Sequence, residues 1–536
     1  MPSPLTDLRP AAATPRSLRE LAAETGGGQE LRRPGSRPVQ GVTLDSRQVR
    51  DGDLYAALPG QRTHGARFAS DAVARGAVAV LTDAEGAALA GDALPPGTGL
   101  LVAEDPRSAT ARLAAALYDR PAERLTMLAV TGTNGKTTTA VLLEAALAAA
   151  GEVPATVGTL GFTVAGEQLV GRRTTVTTPE SPDLQALLSL VAGRGATAVA
   201  MEVSSHALVL QRTDPVLFDV AGFTNLGQDH LDFHPDLDAY LDAKAMLFTP
   251  GRTRRAVVCL DSPAGAEIER RARAAGLDTV TTGLAPEADY HPEDLTPTRG
   301  GSTFTLVGPG GRWPVDLALP GTYNVSNAVL ALAMLDRLGV DVARAATGLA
   351  TATVPGRMQL LRLPGGSPTV VVDFAHTPQA VEATLGALRA DLEAGGAPGA
   401  SLLVVLGCGG DRDRAKRAPM GRAGARWADV VVVTDDNPRS EVPEAIRREV
   451  LDGAREGGRA REVLDGGDRR AALARALALA GPDDVVAVLG KGHESGQEVD
   501  GVVTPFDDAQ VVTELAEQAS AGHPTGGERR AATQHR

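Results

Sequence analysis

"VTGTNGKTTTA", residues 130–140, decides how the rest of the chain is read. A glycine loop closed by Lys-Thr marks a phosphate-binding turn between a strand and a helix. The usual spacing, G-x-x-x-x-G-K-[ST], requires glycine at position 130, where this chain carries Val130. The surroundings nevertheless fit: "LTMLAV" before the loop is strand-like, and "TTTAVLLEAALAAAG" after it reads as an amphipathic helix closed by Gly151. Gly132 and Gly135, with Thr133 and Asn134 between them, let the backbone approach phosphate oxygens without a Cβ in the way, and the helix N-terminus adds positive potential. Lys136 is expected at the β- and γ-phosphates, Thr137 at Mg²⁺, and Thr138 follows them. ATP with Mg²⁺ is therefore the expected ligand. A plain glycine turn capped by threonine would leave Lys-Thr-Thr unexplained.

Bulk composition narrows the class. At 536 residues the chain is long enough for two to four domains, and 43% apolar residues can fill several cores. A net charge of −13 argues against general affinity for nucleic acid. Cys259 and Cys408 lie far apart and match neither zinc spacing nor a disulfide framework. The first residues lack the cationic-then-apolar order of a signal peptide, and no run of 18 apolar residues is present. The expectation is a soluble, cytoplasmic, monomeric enzyme with no membrane partner.

Short β-rich runs alternate with Ala/Leu-rich helical stretches, the pattern of α/β layers on parallel sheets. The chain is expected to divide at 16–122, 123–355 and 356–518, with residues 1–15 and 519–536 disordered. The third segment is informative by position. Its runs "TVVVDF", "SLLVVL", "DVVVVT" and "DVVAVL" are each followed at once by a polar loop: "AHTP", "GCGGDRDR", "DDNPRS" and "GKGHES". Ligands bind at the carboxyl ends of open parallel sheets, so four such loops predict one convergent site.

Between the phosphate loop and that segment, Glu202 ends the apolar run "ATAVAME", where a carboxylate can hold Mg²⁺ directly or through water. In "FTNLGQDHLDFHPDLDAYLDAKAMLF", His230 is a candidate metal ligand, and spacing alone makes Lys244 only a lysine on a helix face.

At this point the residues match a known family. "GTNGKTT", "EVSSHAL", "FTNLGQDHLDFH", "NVSNA", "VPGRMQ", "DFAHTP", "TDDNPR" and "GKGHE" occur in the order seen in the Mur ligases, across about residues 40 to 510. These are ATP-dependent, amide-forming enzymes of peptidoglycan precursor synthesis, and the short glycine loop is their usual form. The resemblance implies three domains: a small α/β nucleotide-sugar-binding domain, a central P-loop ATPase-like domain with a mainly parallel sheet, and a C-terminal Rossmann-like domain. It also implies the partners UDP-N-acetylmuramoyl-L-alanyl-D-glutamate, ATP and diaminopimelate, joined through an acyl phosphate.

Carried over residue by residue, the resemblance assigns catalysis to Lys136, Glu202, His230 and Lys244. One Mg²⁺ would sit on Thr137 and Glu202 and a second near His230, and Lys244 would carry a carbamate (N6-carboxylysine) able to hold metal. ATP would also meet Asn324, Arg357, Asp373 and His376, in a family in which domain closure completes the active site. Leu44, Ser46, Gln61, Arg62 and Thr63 match uridine-diphosphate contacts. Thr177, Thr178, Ser204 and Arg212 match contacts to the muramoyl dipeptide. The pattern departs at Leu210, where relatives place a glutamine two residues before the arginine and this chain has Gln211 beside Arg212.

For the amino acid, Arg412, Asp436, Asn437, Pro438, Arg439, Gly490 and Glu494 match, with Glu494 taking an ammonium group. "DDNPR" is the diaminopimelate form of the motif, and its physics is direct. Arg439 can grip the distal carboxylate with two parallel hydrogen bonds, and lysine, which lacks that carboxylate, would leave the guanidinium unpaired. A folylpolyglutamate synthase or another Mur ligase would share the ATP site without "DDNPR" and "GKGHE". A nucleotide-driven switch would have no need of an amino-acid pocket.

Overall fold

The computed structural model describes residues 10, 14–25, 27–60, 62–169, 177–227, 229, 233–298, 300–395 and 397–521. Two of the sequence candidates, Gln61 and His230, lie outside them, as does most of the two terminal stretches expected to be disordered. The chain separates into two compact units, Met1–Thr353 and Val354–Arg536.

The first unit opens with a five-stranded sheet: β1 (Gln29–Arg33), β2 (Gly41–Thr43), β3 (Asp53–Ala56), β4 (Ala79–Thr82) and β5 (Gly99–Ala103), in the order β1-β5-β4-β3-β2. All neighbours are parallel except β1 against β5. Its apolar runs are buried on both faces, as parallel sheets covered by helices require. Leu54, Leu81 and Leu101 join one core cluster, while Tyr55, Val80 and Leu100 join the other, so successive side chains feed opposite faces. The helix Pro106–Leu117 begins at Asp105, whose carboxylate accepts from Ser108 N, with proline in the first turn.

An eight-stranded sheet follows: β6 (Thr126–Thr131), β7 (Pro154–Gly158), β8 (Gly161–Val164), β9 (Glu167–Gln168), β10 (Ala198–Glu202), β11 (Val220–Phe223), β12 (Arg255–Cys259) and β13 (Asp278–Thr282). The order is β13-β12-β11-β6-β10-β7-β8-β9, parallel except for β8 and β9. The phosphate-loop strand β6 thus lies between β10 and β11. Register pairs Glu202 with Val130 and Phe223 with Thr131, so all three strands end at one level. A three-stranded antiparallel sheet, β14 (His291–Thr298), β15 (Gly301–Gly308) and β16 (Gly311–Leu317), completes the unit. The sequence pattern does not separate it from the central segment.

The second unit is built on β17 (Gln359–Leu361), β18 (Thr369–Asp373), β19 (Leu402–Leu406), β20 (Val430–Thr434), β21 (Glu462–Gly467) and β22 (Val485–Leu489), ordered β17-β18-β22-β19-β20-β21. Only β17 runs antiparallel. The four strands read from sequence are adjacent and parallel, and therefore deliver their polar loops to one end of the sheet. A hairpin, β23 (Gly496–Val499) with β24 (Val502–Pro505), follows the "GKGHE" loop. The last helix, Asp508–Ala521, runs three residues past the boundary expected at 518. Among the described residues no helix is long and apolar enough to cross a membrane.

Candidate active site

The phosphate loop joins β6 to the helix Lys136–Ala150, which ends on Gly151 at φ 99°. Gly132 (φ 151°) and Gly135 (φ 87°) are both required by their neighbours. A Cβ at Gly132 would lie 1.9 Å from Thr224 Oγ1, and one at Gly135 would lie 2.4 Å from Asn327 Oδ1. Thr224 and Asn225, which follow β11, hold the loop from one side. Asn134 N donates to Asn225 Oδ1 at 3.0 Å, and Thr224 Oγ1 donates to Asn134 O at 2.6 Å. The "NVSNA" motif lies against the same loop through Asn327. Buried Asn324 beside it donates to Pro320 O at 2.8 Å and accepts from Asn327 Nδ2 at 3.2 Å.

Two lysine side chains converge on this loop. Lys136 Nζ donates to the carbonyls of Gly132 and Thr133, both at 2.9 Å. Lys244 Nζ, from the helix Leu237–Ala245, donates to Gly132 O at 2.7 Å and stands 4.2 Å from the Tyr240 ring centroid. Burial, with the Lys136 charge adding to it and Asp229 opposing, pushes the Lys244 pKa well below the ordinary lysine value. The amine is thus held toward its neutral, nucleophilic form, the form that can add to CO₂.

Glu202 ends β10 with 1% of its surface exposed. Its oxygens accept from Thr137 Oγ1 (3.0 Å), Thr159 N (2.8 Å) and Thr159 Oγ1 (3.1 Å), all neutral donors. A buried carboxylate and a threonine hydroxyl, hard oxygens meeting at a phosphate loop, form a donor set that suits Mg²⁺. Beyond Glu202 the dipeptide candidates form one chain of contacts. Thr159 Oγ1, whose proton goes to Glu202, lies 3.3 Å from Thr177 Oγ1, while Thr178 Oγ1 donates to Glu202 O (2.9 Å), Ser204 N to Thr178 Oγ1 (3.1 Å) and Arg212 Nη1 to Thr178 O (3.2 Å). Gln211 turns away at φ 51° and donates to Asp105 at 2.9 Å, so it does not supply the missing glutamine contact.

Arg212 pairs at 2.8 Å with Glu180, which also meets Arg107 of the N-terminal domain at 3.3 Å. Glu180 and Asp183 line a cleft of ≈ 700 Å³ together with Leu44, Ser46 and Thr63. Of the dipeptide candidates, Arg212 reaches the edge of this cleft through its ion pair with Glu180. The floor is held by Tyr55, whose hydroxyl donates to Gly65 O at 2.9 Å and whose pKa burial pushes up to about 12. Arg62 is exposed beside Thr63 and does not line the cleft.

In the second unit, Arg357, Asp373 and His376 gather around Phe374. The guanidinium carbon of Arg357 is 4.3 Å from the Phe374 ring, the His376 ring 4.4 Å, and the His493 ring 5.0 Å. The Asp373 carboxylate is occupied by Met358 N (2.7 Å), Ala375 N (2.9 Å) and Thr384 Oγ1 (3.2 Å). It holds the Arg357 turn in place, and burial raises its pKa.

The β20 and β22 loops interlock at the other candidates. Asn437 Nδ2 donates to Glu494 at 2.9 Å, while its Oδ1 accepts from Lys491 Nζ (3.3 Å) and Glu498 N (3.0 Å). Gly490 (φ 110°) leaves no room for a Cβ, which would lie 2.7 Å from Asp436 Oδ2. Asp436 and Pro438 are buried. Arg439 sits at φ 53°, with Nη1 donating to Gly410 O at 2.7 Å. Arg412, by contrast, is exposed.

Three family models account for most of the chain: Mur ligase family, catalytic domain, over residues 38–130; Mur ligase middle domain over 130–335; and Mur ligase, glutamate ligase domain, over 356–492. The chain belongs to the Mur ligase family. It is 46% identical over 516 residues to a UDP-N-acetylmuramoyl-L-alanyl-D-glutamate–2,6-diaminopimelate ligase of Streptomyces coelicolor, covering 94% of this chain and 97% of that one. A UDP-N-acetylmuramyl-tripeptide synthetase of Leifsonia xyli is 41% identical, covering 94% and 97%, and its name leaves the amino acid open. A solved structure of a UDP-N-acetylmuramoyl-L-alanyl-D-glutamate–2,6-diaminopimelate ligase superposes with a TM-score of 0.65 at 32% identity, covering 95% of this chain and all of that one.

Sequence reasoning passed over the arginines beneath the Mur ligase C-terminal loops. Arg469 and Asp508 are both fully buried, paired through two contacts at 2.7 Å. The same guanidinium donates to Leu489 O (2.9 Å) and Asp435 O (3.4 Å), the residues just before Gly490 and Asp436. Arg447 grips the Asp435 carboxylate at 2.5 Å, and Arg417 joins Glu441 (2.7 Å) to Gly409 O (3.4 Å). In a chain with 53 lysines and arginines, none of these stood out from surface charge on a helix.

Proposed function

We propose that this Mur ligase is a monomeric, cytoplasmic enzyme that joins diaminopimelate to UDP-N-acetylmuramoyl-L-alanyl-D-glutamate with consumption of ATP, in peptidoglycan precursor synthesis. The observation that carries the choice of amino acid is Arg439, set at a left-handed backbone position among four converging strand-end loops. A guanidinium there matches a second, distal carboxylate, which diaminopimelate has and lysine lacks.

The chemistry follows from charge. A γ-carboxylate oxygen of the D-glutamyl residue attacks the γ-phosphorus of ATP, and the bond to the ADP oxygen breaks. An amine of diaminopimelate adds to the acyl carbon, loses a proton, and phosphate departs with its electron pair to leave the amide. Negative charge crowds together at every stage, so preorganised cations supply much of the catalysis. Lys136 stands at the loop to meet the β- and γ-phosphates, while the amides of residues 132–135 and the helix N-terminus cradle them. Thr137, Glu202, His230 and Lys244 as its carbamate would hold Mg²⁺, which neutralises phosphate charge when bound. Carbamylation turns the Lys244 cation into an anion, and the depressed pKa of its amine supports that conversion. Thr177, Thr178, Ser204 and Arg212 orient the dipeptide, and the cleft at Leu44, Ser46 and Thr63 receives the nucleotide sugar.

Phosphate release from ATP and Mg²⁺ with the nucleotide dipeptide tests this, adding meso-diaminopimelate, LL-diaminopimelate or L-lysine in turn. Release that depends on a diaminopimelate isomer, with a tripeptide product by mass, is expected. Lysine-dependent release would overturn the reading of Arg439, and turnover independent of any amino acid would overturn the ligase.

A further inference from the structure

The helix Pro106–Leu117 belongs to the N-terminal domain, yet its start holds a turn of the central domain. Asp105 caps it by accepting from Ser108 N at 3.1 Å, and its other oxygen accepts from Gln211 Nε2 at 2.9 Å. Two residues on, Arg107 Nη1 donates to Leu210 O and to Glu180 Oε2, both at 3.3 Å. The turn so held follows the short helix Ser205–Val209 and is strained. Gln211 sits at φ 51°, a left-handed position that few residues other than glycine adopt and that persists only where its surroundings impose it. Next in the chain is Arg212. Its Nη2 pairs with Glu180 Oε1 at 2.8 Å, its Nη1 donates to Thr178 O at 3.2 Å, and its buried Nε has no hydrogen-bond partner among the described residues. Glu180 thus stands between two guanidiniums, one from each domain, and gives each an oxygen.

We propose that Arg107 is a positioning residue for the dipeptide, acting through Glu180 and the Leu210 carbonyl to fix Arg212. This rests on the reading of Arg212 as a contact to the nucleotide dipeptide. Arg107 does not line the cleft and does not touch substrate. It ties the domain that carries the cleft to the arginine that orients the dipeptide. A guanidinium already held in place binds without first losing rotamer freedom. Without Arg107, Glu180 keeps one partner and the strained turn loses a support, so the substrate itself must order Arg212. The cost then falls on binding of the nucleotide dipeptide, and ATP and diaminopimelate are spared.

The test measures ADP release by the full-length enzyme while UDP-N-acetylmuramoyl-L-alanyl-D-glutamate, ATP and diaminopimelate are varied in turn. It compares Arg107→Ala, Arg107→Lys, Glu180→Gln and the double variant Arg107→Ala/Glu180→Gln with wild type. A half-exposed ion pair together with a charged hydrogen bond to a carbonyl predicts a rise of about 10-fold in KM for the nucleotide dipeptide in Arg107→Ala. kcat and the other two KM values should stay within about 2-fold. Arg107→Lys, which keeps the charge without the fork, should recover part of the loss. The double variant should lose less than the product of the single losses, because both act on Arg212. Should Arg107→Ala melt below the assay temperature, Arg107→Gln takes its place in the same comparison. Equal rises in all three KM values would make Arg107 merely structural and overturn the proposal, as would an unchanged dipeptide KM or losses that simply multiply. An Arg212→Lys enzyme with wild-type KM for the dipeptide would instead refute the reading of Arg212, and the proposal with it, so the two failures are distinct.

Discussion

Replacing Arg469 by methionine should loosen, from beneath, the loops of the proposed amino-acid site. The perturbation removes a guanidinium with no exposed surface and leaves the Asp508 carboxylate buried without its two contacts at 2.7 Å. The carbonyls of Leu489 and Asp435 lose a charged donor at the same time. Breaking one side of a buried pair costs about 3–5 kcal/mol, because the remaining charge is left uncompensated. That is a large share of the ~5–15 kcal/mol that holds a domain folded. For a unit the size of Val354–Arg536, about 2–4 °C of melting temperature per kcal/mol gives a fall of roughly 6–20 °C in its transition. Differential scanning calorimetry reads this directly. The double variant Arg469→Met/Asp508→Leu separates charge from packing: it should recover most of the loss, since apolar replacement of a buried pair is often neutral. A single variant costing under ~1 kcal/mol, or a double variant no better than the single, would refute the argument that the pair is held by mutual neutralisation.

Other outcomes follow from the same geometry. Arg439→Ala should raise KM for diaminopimelate at least 10-fold with KM for ATP nearly unchanged, measured by coupled ADP release; equal changes would make Arg439 structural. Glu202→Gln keeps the shape of the side chain and removes its charge, and should lower kcat on the order of 10²–10³-fold in the same assay. Burial raises the Glu144 pKa against a weaker opposing hydrogen bond from Thr163. Its protonated form therefore stabilises the fold below the unfolded value of 4.5, and that contribution is lost as pH rises through the higher folded value. Glu144→Gln should accordingly be more stable than wild type at pH 7 and show no advantage at pH 4, by denaturant titration.

How much of this could be read from the chain depends on whether the signal was local. The phosphate loop was legible because "LTMLAV", two glycines and an Ala/Leu helix closed by Gly151 are contiguous, and all three stand where expected. The four C-terminal strands were legible because valine runs buried on both faces need no partner information. The packing of the loops was not legible. That Asn437 bridges Lys491, Glu494 and Glu498, or that Arg469 reaches Leu489 and Asp508, depends on strand order, which brings together residues far apart in sequence. The sheet β14–β16 escaped because polar and proline-bearing segments such as "HPEDLTPT" lack the apolar alternation of a strand. Nor does "DFAHTP" show that the Asp373 oxygens accept from the backbone of Met358, fifteen residues earlier, and of Ala375.

The most direct measurement uses nucleotide dipeptide with ¹⁸O in both oxygens of the D-glutamyl γ-carboxylate, ATP, Mg²⁺ and diaminopimelate. Activation through an acyl phosphate transfers one labelled oxygen to each phosphate released and leaves the other in the new amide. Mass spectrometry of both products should therefore find one ¹⁸O in each. Phosphate carrying no label, with ATP consumed, would contradict the account at its centre.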